Sequence, residues 1–107
     1  MKTVITSSGD KLTSQFDLRF GRAAWFCVYD HESEEIRFIK NLNSDANSGA
    51  GVKTAGMMSE IGADRVISGD FGPKAKSLLN KLQIQMVVPD KTDKTVGDII
   101  EKIKKPK

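Results

Sequence analysis

The hydrophobic positions change period partway along the chain. Lys2 to Ser7 is a short β-type run centred on Val4 and Ile5, and the turn residues Ser7-Ser8-Gly9-Asp10 break it. Phe16 to Phe20 is predicted as a second short strand, ended by Gly21. Ala24 to Asp30 is a stronger strand signal, because Trp25, Phe26, Val28 and Tyr29 all favour extended backbone. Its apolar residues alternate onto both faces, which predicts burial on both sides. Asp30-His31-Glu32-Ser33 is a polar turn, and Ile36 to Lys40 returns with Ile36 and Phe38 on one face, so the pair reads as a hairpin.

Beyond this hairpin the period becomes helical. Leu42 to Ser48 is mostly polar. After Gly49-Ala50-Gly51, the residues Val52, Ala55, Met58 (with Met57 beside it) and Ile61 form an apolar stripe. Gly62 is placed to end that helix in a left-handed cap. Val66-Ile67 centres a short buried strand over Arg65 to Ser68, and Gly69 to Pro73 is a sharp connection. Pro73 suits a first helical turn, where its missing N–H costs nothing. Ala75, Leu78, Leu79 and Leu82 give a second stripe, Gln85 to Val88 a strand stopped by Pro89, and Lys91 to Thr95 a loop. Val96, Ile99, Ile100 and Ile103 give a third stripe with Thr95 as its N-cap. Four strands followed by helix, strand, helix, strand, helix predict one α/β domain. Its mixed sheet joins an antiparallel first half to a parallel second half and is flanked by helices. The domain is placed at residues 1–104, with 105–107 as a basic tail.

Composition narrows the class. A chain of 107 residues fits one domain that can hold itself with a single core. The lone Cys27 cannot form an internal disulfide, and the N-terminus lacks the apolar stretch of about seven residues that a secretion signal needs. No segment approaches the roughly 18 apolar residues of a membrane span. The expected location is cytoplasmic, with no membrane partner. The formal charge of +3 comes from the end of the chain: residues 101–107 hold four lysines and one glutamate, and elsewhere basic and acidic residues balance at 13 each. A terminal tail is not the surface patch of a nucleic-acid binder, so no nucleic-acid partner is expected.

Candidate chemistry concentrates in three turns. Ser7 and Gly9 follow the first strand, Ser48, Gly49 and Gly51 precede the first helix, and Gly69 and Gly72 precede the second. Open α/β sheets bind ligands at the carboxyl ends of their parallel strands, and helix N-termini there attract anions. Neither glycine turn is a nucleotide fingerprint: Thr54 stands where a third Rossmann glycine belongs, and Asn47 and Val52 replace two glycines of a P-loop. No catalytic constellation or zinc spacing is present. His31 reads as an exposed turn residue and Cys27 as core packing. Asp10, Asp30 and Asp70 could converge to hold a divalent ion, which keeps a phosphoryl-transfer enzyme open as an alternative.

Phe20-Gly21-Arg22-Ala23 with the strand Trp25 to Tyr29, the turn Gly49-Ala50-Gly51, the segment Val66 to Ala75 with its Gly-x-x-Gly-Pro-x-Ala, and Gln83-Ile84-Gln85 to Val88 resemble, in order, the dinitrogenase iron–molybdenum cofactor biosynthesis family. The resemblance runs from Met1 to about Ile103. It implies a ribonuclease H-like motif and a small protein, not an enzyme, that binds or carries an iron–molybdenum–sulfur cluster or its precursor, with cofactor-assembly proteins as partners. Some members place a histidine before the glycine-rich helix start. Here the loop reads Asn43 to Ser48, and Asn47 can hydrogen-bond a ligand but is a poor metal ligand. The expected seat of an anionic small molecule or cluster therefore comprises Ser7, Gly9, Arg22, Asn47, Ser48, Gly49, Gly51, Gly69 and Gly72, with no metal-ligating side chain. The alternatives are a ribonuclease H-like enzyme and a pure protein-interaction module.

Overall fold

The computed structural model describes residues 1–46 and 48–104. Five strands, β1 (Lys2–Ser7), β2 (Trp25–Asp30), β3 (Ile36–Lys40), β4 (Arg65–Ile67) and β5 (Gln85–Val87), form one mixed sheet in the order β3-β2-β1-β4-β5. β1 pairs antiparallel with β2, with Ser7 opposite Trp25, and parallel with β4. β2 pairs antiparallel with β3, and β4 parallel with β5. The helices are α1 (Ala50–Ile61), α2 (Pro73–Lys81) and α3 (Val96–Ile103). This is one α/β domain with the predicted mixed sheet.

Strand alternation divides the core into two clusters. Val4, Phe26, Val28 and Val66 project to the face covered by α1 and α2, where they meet Ala55, Met58 and Leu79. Ile5, Cys27, Tyr29 and Ile67 project to the other face and meet Val96, Ile99 and Ile100 of α3. β2 is buried on both sides, as its pattern predicts. Gly62 ends α1 with φ 82°, Pro73 opens α2, and Thr95 forms a reciprocal capping box with Asp98 at α3.

The predicted second strand does not form. Phe16 belongs to the α3-side cluster and Phe20 to the opposite one, so the segment between them crosses the end of the sheet instead of running along it. Only isolated bridges mark its path, among them Ser7 with Phe16 and Arg19 with Asp70. The crossing is pinned where the Asp17 N–H donates to the Thr6 carbonyl and the Thr6 hydroxyl donates to the Asp17 carbonyl. It carries residues 19–22 onto the rim formed by the carboxyl ends of β1, β4 and β5.

Candidate functional site

That rim collects the start of β2, the end of β3 and the N-termini of α1 and α2. A cavity of about 490 Å³ opens among Arg19, Phe20, Gly21, Arg22, the turn Gly49 to Val52, and Asp70 with Gly72 to Ala75. Its floor depends on missing side chains. A Cβ on Gly21 would lie 2.9 Å from the Gly51 nitrogen, and one on Gly51 would lie 3.2 Å from the Ala75 Cβ. Glycine at both positions lets the crossing segment rest on the first turn of α1, and the first turn of α1 rest against α2.

Two helix N-termini therefore face the same space. Gly49 caps α1 with φ 71° and Gly72 caps α2, and neither helix has a side-chain cap or an acid in its first turn. α3, on the opposite face of the sheet, has both. The N–H groups of Ala50, Gly51, Val52, Lys74 and Ala75 meet no acceptor among the described residues. Each helix end presents such groups together with a partial positive charge. Arg19, Arg22 and Lys74 line the cavity against one acid, Asp70.

The three cations are held differently. Arg22 is half-buried and donates through Nη1 to the carbonyls of Ser44 and Ala46, which fastens the loop before α1. Arg19 donates to the largely buried Asp17 carboxylate at 3.3 Å from both Nε and Nη2, and that hydrogen bond and charge raise the guanidinium pKa above its usual value. Lys74 is exposed at the second position of α2. Behind them, buried Asn41 joins the two segments that frame the cavity. Its Nδ2 donates to the carbonyls of Gly21 (3.1 Å) and Ala23 (2.8 Å), and its Oδ1 accepts from the Asn43 N–H (2.9 Å).

Of the residues expected at the seat, Arg22, Gly49, Gly51 and Gly72 line the cavity, and Ser7, Gly9, Ser48 and Gly69 do not. Asn47 lies outside the described residues. Ser7 and Gly9 satisfy each other in a local turn, where the Ser7 hydroxyl donates to the Gly9 carbonyl at 2.6 Å. Gly69 is explained by packing, since a Cβ there would fall 2.5 Å from the Leu18 Cα. Arg19 and Lys74 were not singled out in the sequence. Lys74 had a readable signal, a cation just inside a Gly-Pro helix start. Arg19 had none, because its position depends on the rim crossing.

The side chains set aside as non-ligands sit elsewhere. Cys27 is fully buried, and burial pushes its thiol pKa up to about 12. His31 stays in the hairpin turn at the opposite end of the sheet, but it is not simply exposed. Its Nε2 lies 2.7 Å from the Thr3 hydroxyl, and its ring packs edge-on to Tyr29 at 4.7 Å. Asp30 pairs across from Lys2 at that far end while Asp70 is on the rim, so the three aspartates do not converge. No group of three or more His, Cys, Asp or Glu that could hold a metal ion occurs among the described residues. No helix among them is long and apolar enough to cross a membrane.

Comparison with known proteins places this architecture. An uncharacterised protein of Methanocaldococcus jannaschii is 27% identical over 89 residues, covering 80% of this chain and 72% of its own. The apo form of the orange protein from Desulfovibrio gigas is similar in structure, with a TM-score of 0.87 and 29% identity over 94% of this chain and 84% of its own. A NifB-like Thermotoga protein of the DUF35 family superposes with a TM-score of 0.80 at 27% identity, with the same coverage of 94% and 84%. The model of the dinitrogenase iron–molybdenum cofactor family matches residues 1–106, and the chain belongs to that family.

Proposed function

We propose that this protein is a small binder or carrier of an anionic metal–sulfur cofactor, an iron–molybdenum–sulfur cluster or its precursor, seated in the rim cavity. The observation that carries this reading is Gly72. Its φ of −62° and ψ of 158° suit any residue, and a Cβ built on it meets nothing within 4 Å. Neither backbone nor packing requires glycine there, and Ser, Thr, Asp or Asn would cap α2 better. A ligand that approaches the backbone closely accounts for the bare position. The same requirement explains why both helix N-termini at the cavity lack side-chain caps while α3 has one.

The donor set fits an anionic cluster held from outside and does not fit direct coordination. The cavity lining contains no Cys, His or Met. It offers cations and backbone N–H groups, which bind sulfide or oxo surfaces by charge-assisted hydrogen bonds. A seat without covalent ligands also suits a carrier, because release breaks no metal–ligand bond. The family membership and the likeness to the orange protein support a cofactor role; the identity of the cofactor is the proposal.

Anaerobic titration of the purified protein with isolated iron–molybdenum cofactor tests it. Arg19→Ala and Lys74→Ala together should weaken binding by at least about tenfold, because both remove a charged donor that faces the anion. Arg22→Ala should weaken it as well, partly by freeing the loop it fastens. His31→Ala and Cys27→Ser should not change affinity. Dependence on His31 or Cys27, with the cation variants unaffected, would show side-chain ligation at another site.

A further inference from the structure

A second cavity, of about 370 Å³, lies at the same carboxyl rim but on the opposite face of the sheet, between the ends of β4 and β5 and helix α3. Its floor is Ile67, Val87, Ile99 and Ile103, joined by Pro89. Ile67 and Ile99 belong to the α3-side core, and Val87 and Ile103 only partly cover it. α3 is eight residues long and is the only helix on this face among the described residues, which leaves this end of the sheet open. Lys91, Lys94 and Lys102 stand around it with the single acid Asp90. None of the three lysines forms an ion pair within 4.0 Å among the described residues. The sequence reading gave these residues to a plain loop and a helix stripe, and cofactor seating on the other face uses none of them.

We propose that this cavity is a second ligand site, for an organic monoanion with an aliphatic body, such as a medium-chain carboxylate. The isoleucine and valine floor takes the chain and the lysines take the carboxylate. The volume lies within the range of small-molecule pockets, and a mostly apolar lining with a few convergent polar groups is their usual construction. Two observations decide against a second metal–sulfur anion. The floor is aliphatic, with no helix N-terminus aimed at it, because the first turn of α3 is closed by Thr95 and Asp98. Charge complementarity decides against a neutral lipid. Occupancy would bury the partly exposed Val87 and Ile103 and tie the β5–α3 loop to α3.

Decanoate titrated into the full-length protein, followed by amide NMR shifts, tests the assignment independently of cofactor binding. Saturable shifts should cluster at Ile67, Val87, Ile99 and Ile103. Decanol should bind at least about tenfold more weakly, because it lacks the charge. Lys91→Glu with Lys102→Glu, both exposed positions, should preserve the fold and weaken decanoate about tenfold, whereas Lys74→Glu at the other cavity should leave it unchanged. Absence of saturable shifts, clustering at Gly51 and Lys74, or equal binding of decanol would each overturn the proposal.

Discussion

Truncating Asn41 to alanine should loosen the frame of the cofactor cavity more than any other single change of its size. The side chain is 1% exposed and makes three hydrogen bonds, of 3.1, 2.8 and 2.9 Å, to Gly21, Ala23 and Asn43. Each contributes about 1 kcal/mol net, and deletion leaves buried partners unsatisfied as well, so the loss should be about 3 kcal/mol. For a domain of this size that lowers Tm by about 12–20 °C. Urea unfolding followed by the near-ultraviolet signal of Trp25, which starts β2, measures it, and an unchanged m-value would show that two-state behaviour survives. Hydrogen exchange should accelerate in residues 21–23 and 41–46 before the rest of the sheet. Asn41→Asp should cost at least as much, because it turns a carboxylate onto two carbonyl oxygens. A loss below about 1 kcal/mol for alanine, or a stable Asn41→Asp at neutral pH, would refute the reasoning, since water would then be replacing the side chain.

Three further outcomes follow from the core and the caps. Cys27→Ser should destabilise by about 1–3 kcal/mol through an unpartnered buried hydroxyl, measurable by urea unfolding. The wild-type thiol, pushed up to about 12 by burial, should react with iodoacetamide at mildly alkaline pH only as fast as the protein unfolds. Asp98 is held below the usual carboxylate pKa, first by the backbone N–H of Thr95 and then by its hydroxyl, and Asp30 is held low by the backbone of Glu32. Folded pKa values below unfolded ones mean that this stability is present above about pH 4 and is lost as pH falls through the lowered values. Asp98→Asn should flatten that acid limb in a Tm-against-pH series.

Most of the fold could be read from local chemistry. The alternation in Trp25 to Tyr29, the helix stripes, Gly62, Pro73 and Thr95 each act within one turn or one strand, and each predicts its own element. Phe16 to Phe20 misled for a physical reason. Its two buried aromatics serve opposite faces of the sheet, and only the tertiary crossing shows this. The same crossing concealed Arg19. Gly9 and Gly69 are glycines for local crowding, whereas Gly21, which the residue pattern marks as a strand terminator, lies under the first turn of α1. Sequence cannot distinguish a glycine needed for turn geometry from one needed for a ligand, because the difference lies in what a Cβ would touch. The Asn41 network joins segments about twenty residues apart and had no local signature.

The central claim is that the bare helix ends at the rim cavity bind an anion, and Gly72→Asp tests it most directly. Aspartate there is compatible with the backbone, caps α2 and complements its dipole, so Tm should hold or rise by a few degrees, in line with about 0.5–1 kcal/mol. The same side chain places a carboxylate in the space proposed for the cofactor. Anaerobic titration of the variant with isolated iron–molybdenum cofactor should show affinity reduced by about a hundredfold or more, roughly 3 kcal/mol, in a protein at least as stable as wild type. Wild-type affinity in a folded Gly72→Asp protein would contradict the account.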